Sequence, residues 1–277
     1  MFQVREWTRG DTVRWFRAPT AEDDKYARGV VALRTGSTTY PGAAVLGVEA
    51  AWRAGAGFVR FVGAERVADA VLARRPETVT GADVGRSRVD AWVIGSGTDP
   101  MHRSEEETAA LREILAATAP VVIDAGALDL APDARAPFLV TPHAREFSRL
   151  QERLRVTPGE DDRAEAARRV AAEIGGVVLL KGARTLVAAP DGTVIAVEAG
   201  TGWLATAGTG DVLAGVLGAV IAANPEAPIA ETAAAGAWLH GHAARIAADV
   251  LDGAPGHPIV AMDVAVALPH AIADVLA

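Results

Sequence analysis

Short runs of β-branched and apolar residues alternate with alanine-rich, helix-like stretches along most of the chain, and this alternation limits the fold more than any other feature. The runs Phe58–Val62, Ala91–Ile94, Val121–Ile123, Phe138–Val140 and Val177–Leu180 are too short for helices and lack a strict polar alternation. Strands of that kind sit inside a parallel sheet covered on both faces, with helices as crossovers. The intervening stretches fit that role. Gly42–Ala54 is expected to be a helix ended by Gly55, and Arg103–Ala117 a charged amphipathic one. Thr157-Pro158-Gly159-Glu160 has capping-box spacing with proline at the first helical position, which predicts a helix from there to about Glu173. Val212–Ala223, Ile229–Ala247 and Met262–Leu276 read as three further helices, and Asp191-Gly192 between Thr185–Ala188 and Thr193–Val197 signals a hairpin. No linker divides the sequence, so residues 1–277 are expected to form one α/β domain. The polar stretch before Val30 is expected to be an arm or flap outside the core.

Composition removes several classes of function. The 277 residues include no cysteine, which excludes a disulfide scaffold, a thiolate zinc site and a cysteine nucleophile. The net charge of −8 disfavours general affinity for nucleic acid or anionic membranes. The longest apolar run, Val212–Ala223, is shorter than the ~20 residues a membrane-spanning helix needs. No apolar segment follows the N-terminus, so a cytoplasmic protein is expected.

In open α/β sheets, ligands bind beyond the carboxyl ends of the strands. Four of the predicted strands end in polar or flexible residues: Gly95-Ser96-Gly97, Asp124, Thr141-Pro142-His143 and Lys181-Gly182. Together they form a polar rim above an apolar sheet. The strongest single motif is Gly208-Thr209-Gly210-Asp211, which leads into an apolar helix. Glycines before a helix let backbone N–H groups converge on an anion, and the helix dipole adds positive potential. Asp211 would repel such an anion, unless it serves as a general base for a hydroxyl while the hole stabilises a phosphoryl group in transit. The alternative is an ordinary first-turn acid. Lys181-Gly182-Ala183-Arg184-Thr185 offers two cations, a flexible backbone and a hydroxyl, suited to a diphosphate or to a plain strand–turn–strand.

His143 is a candidate hydrogen-bonder or base, with Glu146 at helical spacing from it. Asp124 would either orient a magnesium hydration shell or cap the next turn, and Trp203 would stack on a ring or pack as a lid. Tyr40-Pro41-Gly42-Ala43-Ala44 opens a helix whose small first turn admits either a flat ligand or close packing. His240 and His242 stand on different helix faces, so metal binding by histidine is not expected. The chain fits neither a Walker A loop nor a dinucleotide-binding GxGxxG unit, and it has no serine elbow.

The ordered set of these motifs, closing with Ala205-Thr206-Ala207-Gly208-Thr209-Gly210-Asp211 and Leu239-His240-Gly241, resembles the ADP-dependent NAD(P)H-hydrate dehydratases of the ribokinase-like superfamily. The resemblance runs from about Lys25 onward. It implies a three-layer α/β/α sandwich with a mostly parallel central sheet. It implies repair of hydrated NADH or NADPH at the expense of ADP, or ATP, with Mg²⁺ and with AMP and phosphate as products. Asp211 would be the base. Ala43, Gly97, His143 and Asp211 would meet the hydrated nicotinamide; Lys181, Gly182, Ala183, Arg184, Thr185 and Gly210 would meet the adenine nucleotide. A homotetramer, and a separate epimerase to supply the S epimer, are also implied.

Four places depart from the family pattern. They are Asp124-Ala125-Gly126 where a second aspartate is usual, His143-Ala144-Arg145-Glu146, Thr201-Gly202-Trp203 and Thr35-Gly36-Ser37. Two other readings fit the glycine-rich loop: a kinase of a small alcohol such as a vitamin precursor, and a nucleotide-binding protein without turnover.

Overall fold

A computed structural model describes residues 3–85, 87–156, 162–250 and 254–277. Its ten described strands form one sheet. In chain order they are β1 (Val4–Glu6), β2 (Val30–Arg34), β3 (Phe58–Val62), β4 (Val79–Gly81), β5 (Ala91–Ile94), β6 (Val121–Ile123), β7 (Phe138–Val140), β8 (Val177–Leu180), β9 (Thr185–Ala188) and β10 (Val194–Val197). Their spatial order is β1-β10-β9-β8-β7-β6-β5-β2-β3-β4. β9 is antiparallel to both its neighbours, and every other described pairing is parallel.

Burial on both faces explains why the strands are continuously apolar. Successive side chains on a strand point to opposite faces. Val177 and Leu179 accordingly join one core, and Val178 and Leu180 the other. After a short α1 (Arg9–Thr12), the first core lies under α2 (Pro41–Arg53), α3 (Glu65–Arg74), α7 (Thr209–Ala223), α8 (Ile229–Ala247) and α9 (Ala261–Leu276). The second lies under α4 (Glu105–Ala116), α5 (Ala144–Leu154) and α6 (Arg163–Ile174). α7 is buried from Val212 to Ala222, so it needs no polar face.

Two sequence expectations change. The stretch before Val30 is not wholly outside the core: Val4–Glu6 extends the sheet beside β10, and Trp7 is buried, its indole N–H donating to Thr12 Oγ1 at 2.9 Å. Three residues can be captured by an open sheet edge with little apolar content of their own, which is why this strand carries no pattern. The capping box at Thr157–Glu160 lies outside the described residues. The helix expected there is described over Arg163–Ile174, with Asp162 accepting from the N–H groups of Ala164 and Glu165. No described helix is long and apolar enough to cross a membrane.

Candidate functional site

The carboxyl ends of β5, β6, β7 and β8 deliver Ser96, Asp124, Thr141 and Lys181 to one point. Asp124 is only 3% exposed, and it does not cap the following turn. Its Oδ1 accepts from Thr141 Oγ1 at 2.7 Å and from Lys181 Nζ at 2.9 Å; its Oδ2 accepts from Ser96 Oγ at 2.9 Å. A buried carboxylate is tolerated only with partners of this kind. Asp124 therefore fixes Lys181. Burial alone would lower the lysine's pKa, but the carboxylates of Asp124, Glu146 and Asp211 reverse the balance and hold the ammonium charged.

Lys181 Nζ reaches Gly210, in the first turn of α7: a Cβ built on that glycine would lie 3.5 Å away. The chain enters α7 through Gly208 at φ +90°, a left-handed conformation that glycine adopts without strain. Gly208 C=O accepts from Val212 N–H, and the earlier N–H groups of the helix have no intrahelical acceptor. Thr209 Oγ1 lies 3.0 Å from the carbonyls of Leu204 and Thr206, tying the preceding loop to the helix start. On the far side, His240 Nε2 lies 3.0 Å from Thr209 C=O. A carbonyl only accepts, so the N–H is on Nε2. Burial pushes this imidazole down to about 4, so the ring is neutral at physiological pH.

Asp211 shares this first turn. Burial pushes its carboxyl up, the charge of Asp124 pushes the same way, and Lys181 pulls back; the outcome is about 6. A base with that value is ionised at neutral pH yet still able to take a proton. The arrangement thus joins a backbone anion hole, a fixed cation and a tuned carboxylate.

A cleft of about 530 Å³ opens from this point, within the range of small-molecule sites. His143, Lys181, Gly182, Ala183, Thr185 and Gly210 line it. His143 also caps α5: its Nδ1 accepts from the N–H groups of Arg145 and Glu146 at 3.1 and 3.3 Å, while Glu146 Oε2 accepts from His143 N–H at 2.9 Å. That leaves Nε2 for other work, 3.5 Å from Glu146 Oε1. Arg184 does not line the cleft. It pairs with Glu6, and with Glu198 at 3.2 Å, bracing β1 and the hairpin.

Ala43 and Gly97 come together away from this cleft. A Cβ on Gly97 would lie 2.4 Å from Ala43 Cβ, so only glycine fits there. The departure at Gly126 has a steric cause: a Cβ there would lie 2.3 Å from Thr98 C=O. Arg103 holds the same loop through the Gly126 carbonyl at 2.5 Å and Asp129 at 2.7 Å. Trp203 is partly exposed, its indole N–H donating to Pro255 C=O at 3.0 Å. Sequence reasoning missed the shared role of Ser96 and Thr141 on Asp124, and the grip of His240 on α7. The Leu239-His240-Gly241 motif was the available signal for the latter.

Among the described residues no group of three or more His, Asp and Glu side chains could hold a metal ion. Asp124 is already engaged by three donors. Magnesium typically keeps several waters and leans on substrate phosphates rather than on an all-protein cage, so a metal arriving with a phosphate ligand would need no such group here.

Residues 31–252 match the family model described as NAD(P)H-hydrate dehydratase. The bifunctional NAD(P)H-hydrate repair enzyme Nnr of Mycobacterium leprae is 42% identical over 254 residues, covering 89% of this chain and 51% of that protein. The chain thus spans about half the length of that relative. The ADP-dependent (S)-NAD(P)H-hydrate dehydratase of Neisseria meningitidis is 36% identical, covering 83% of this chain and 81% of that protein. The ADP/ATP-dependent NAD(P)H-hydrate dehydratase of Bacillus subtilis, crystallised with ATP and Mg²⁺, superposes with a TM-score of 0.84 at 28% identity, covering 99% of this chain and 100% of that one.

Proposed function

Because this chain belongs to the NAD(P)H-hydrate dehydratase family, with its ribokinase-like fold, we propose that it restores hydrated NADH or NADPH to the reduced cofactor at the expense of ADP. The observation that carries this reading is Asp211, tuned to about 6 in the same helical turn as an anion hole and beside Lys181. Hydroxide is a poor leaving group and phosphate a good one. Asp211 accepts the proton of the ring hydroxyl as its oxygen attacks the terminal phosphorus of ADP. The bond to the bridging oxygen breaks, and AMP departs with the electron pair. The phosphate ester then leaves with its C–O electrons and the neighbouring carbon loses a proton, so that hydrated cofactor and ADP yield reduced cofactor, AMP and phosphate.

The N–H groups at the start of α7 and Lys181 stabilise the charge on the phosphoryl group in transit. Gly182, Ala183 and Thr185 form the nucleotide side of the cleft, and His143, whose Nδ1 accepts from the helix start, donates through Nε2. Ala43 and Gly97, in contact with each other outside the lining of that cleft, would meet the nicotinamide beyond it. Arg184 acts on the nucleotide only through the strand ends it braces. Magnesium, arriving with the nucleotide and held by its phosphates, would neutralise phosphate charge while Asp211 stays free to take the proton. The described sheet and helices act as one catalytic domain, which takes the S epimer and depends on an epimerase for the R form. The homotetramer that the resemblance implies is checked by sedimentation.

The test is to incubate the chain with acid-hydrated NADH, Mg²⁺ and ADP or ATP, and to follow the near-ultraviolet absorbance of reduced nicotinamide. The expected result is recovery, lost in Asp211→Asn. A stable phosphorylated product from a small alcohol would favour a kinase. Nucleotide binding without turnover would favour a binding protein.

A further inference from the structure

A second cleft, of about 630 Å³, lies at the other end of α7, the helix that begins at the first. Ala54 and Gly55, just after α2, and Ala223 and Asn224, at the end of α7, line it. α7 has 15 residues, so roughly 22 Å separates its two ends at 1.5 Å per residue. The two clefts share no lining residue.

Five guanidinium groups line the second cleft, from Arg14, Arg17, Arg28, Arg53 and Arg75, against one carboxylate, Glu77. That concentration is notable in a chain of net charge −8. Complementing helix C-termini explains Arg53, in the last turn of α2, and Arg14, in the short 3-10 turn Val13–Trp15, but not Arg17 and Arg28, which come from the segment between that turn and β2. Two of the five are built in. Glu49, fully buried, accepts from Arg53 Nε at 2.5 Å and from Arg75 Nε and Nη2 at 2.5 and 2.6 Å. Arg17 is neutralised by Asp23 at 2.5 Å. Arg14 comes no nearer than 4.0 Å to Asp11, and among the described contacts Arg28 meets no carboxylate and Arg53 uses only its Nε. Cationic capacity therefore remains at this cleft.

The remaining lining is largely apolar and includes Trp15, Phe16, Trp52, Ala219, Val220 and Ile272. Trp52 is oriented by donating its indole N–H to Thr78 Oγ1 at 3.0 Å. Guanidinium groups from separate segments suit an anion with several oxygens, and aromatic walls suit a planar ring. We propose that this cleft is a second ligand site, which takes an aryl or heteroaryl phosphate independently of the first cleft.

The test is calorimetric titration of the full chain with phenyl phosphate, inorganic phosphate and phenol. The expected result is one phenyl phosphate per chain, bound at least tenfold more tightly than either fragment. Arg28→Glu, an exposed change, should weaken it tenfold or more, and Ala223→Trp should abolish it by filling the cleft. Lys181→Met combined with Asp124→Asn, which strands no buried charge, should leave it unchanged, which separates this proposal from any outcome at the first cleft. Should Ala223→Trp fail to fold, Arg28→Glu decides alone. The proposal is overturned by no binding, by binding lost in that double variant with its melting transition intact but kept in Arg28→Glu, or by sedimentation showing that Ala223→Trp separates copies of the chain, which would make the cleft an interface.

Discussion

Asp211→Asn should make the protein inactive and more stable, and the gain should depend on pH. The folded-state carboxyl sits at about 6, against 3.8 for an ordinary aspartate, because burial and Asp124 disfavour its charge. Below both values the residue is protonated in both states and costs nothing. As pH rises, the unfolded chain ionises first, so wild-type stability falls through this window and levels off above about pH 6. Linkage gives a penalty of about 1.5 kcal/mol at pH 5 and about 3 kcal/mol at pH 7.5. Asparagine is neutral throughout and escapes it. The variant's melting temperature should therefore exceed wild type by about 3–6 °C more at pH 7.5 than at pH 5, at the ~2–4 °C per kcal/mol of domains this size. Loss of a general base should lower kcat by about 10²–10⁴-fold in the same variant. Calorimetry at the two pH values, beside the absorbance assay, measures both. An equal difference at the two pH values, or a variant less stable at pH 7.5, would refute the claim that an ionised Asp211 is held at a cost.

Wild-type kcat/KM should rise with an apparent pKa near 6, so activity at pH 5 is about a tenth of that at pH 7; a flat profile removes Asp211 as base. Lys181→Met should weaken ADP binding and also destabilise the fold by about 3–5 kcal/mol by stranding the buried charge of Asp124, with Asp124→Asn in the same chain recovering part of the loss in a denaturant titration. Gly126→Ala should cost about 1–3 kcal/mol because its Cβ meets Thr98 C=O; an unchanged unfolding midpoint would contradict the packing of that loop. Glu49, buried among Arg53, Arg74 and Arg75, is pulled down to about 2, so its stabilisation is present above about pH 4.5 and fades toward pH 2. Glu49→Gln should lower the melting temperature at pH 7 and matter least near pH 2, which thermal melts across that range check.

The site was legible to the extent that it is local. Gly208 to Asp211 is a contiguous turn, and its geometry follows from glycine conformation and the polarity of a helix start, both fixed by neighbours in sequence. Lys181 and Asp124 were legible as strand-end residues but not as a pair. Their 2.9 Å contact joins positions 57 residues apart and depends on β6, β7 and β8 lying side by side. His143 is legible as a candidate hydrogen-bonder or base, but the spending of one ring nitrogen on capping its own helix is not. Arg184 shares a motif with Lys181 but turns to the sheet edge, because neighbours at a strand–turn–strand corner diverge.

The sequence by itself determined the layers: runs of three to five apolar residues can satisfy their backbone only as paired strands, and the alanine-rich stretches between them are long enough to be the helices that cover the sheet. It also determined that a glycine-rich turn would open α7. Tertiary structure alone decided the protonation of Asp211 and of His240, since each depends on how much water and which distant charges surround it. It alone gathered five arginines, spread from Arg14 to Arg75, around one cleft. Local rules act over a few residues, whereas charge and burial act through space, and only the packed sheet brings such distant positions within reach of one another.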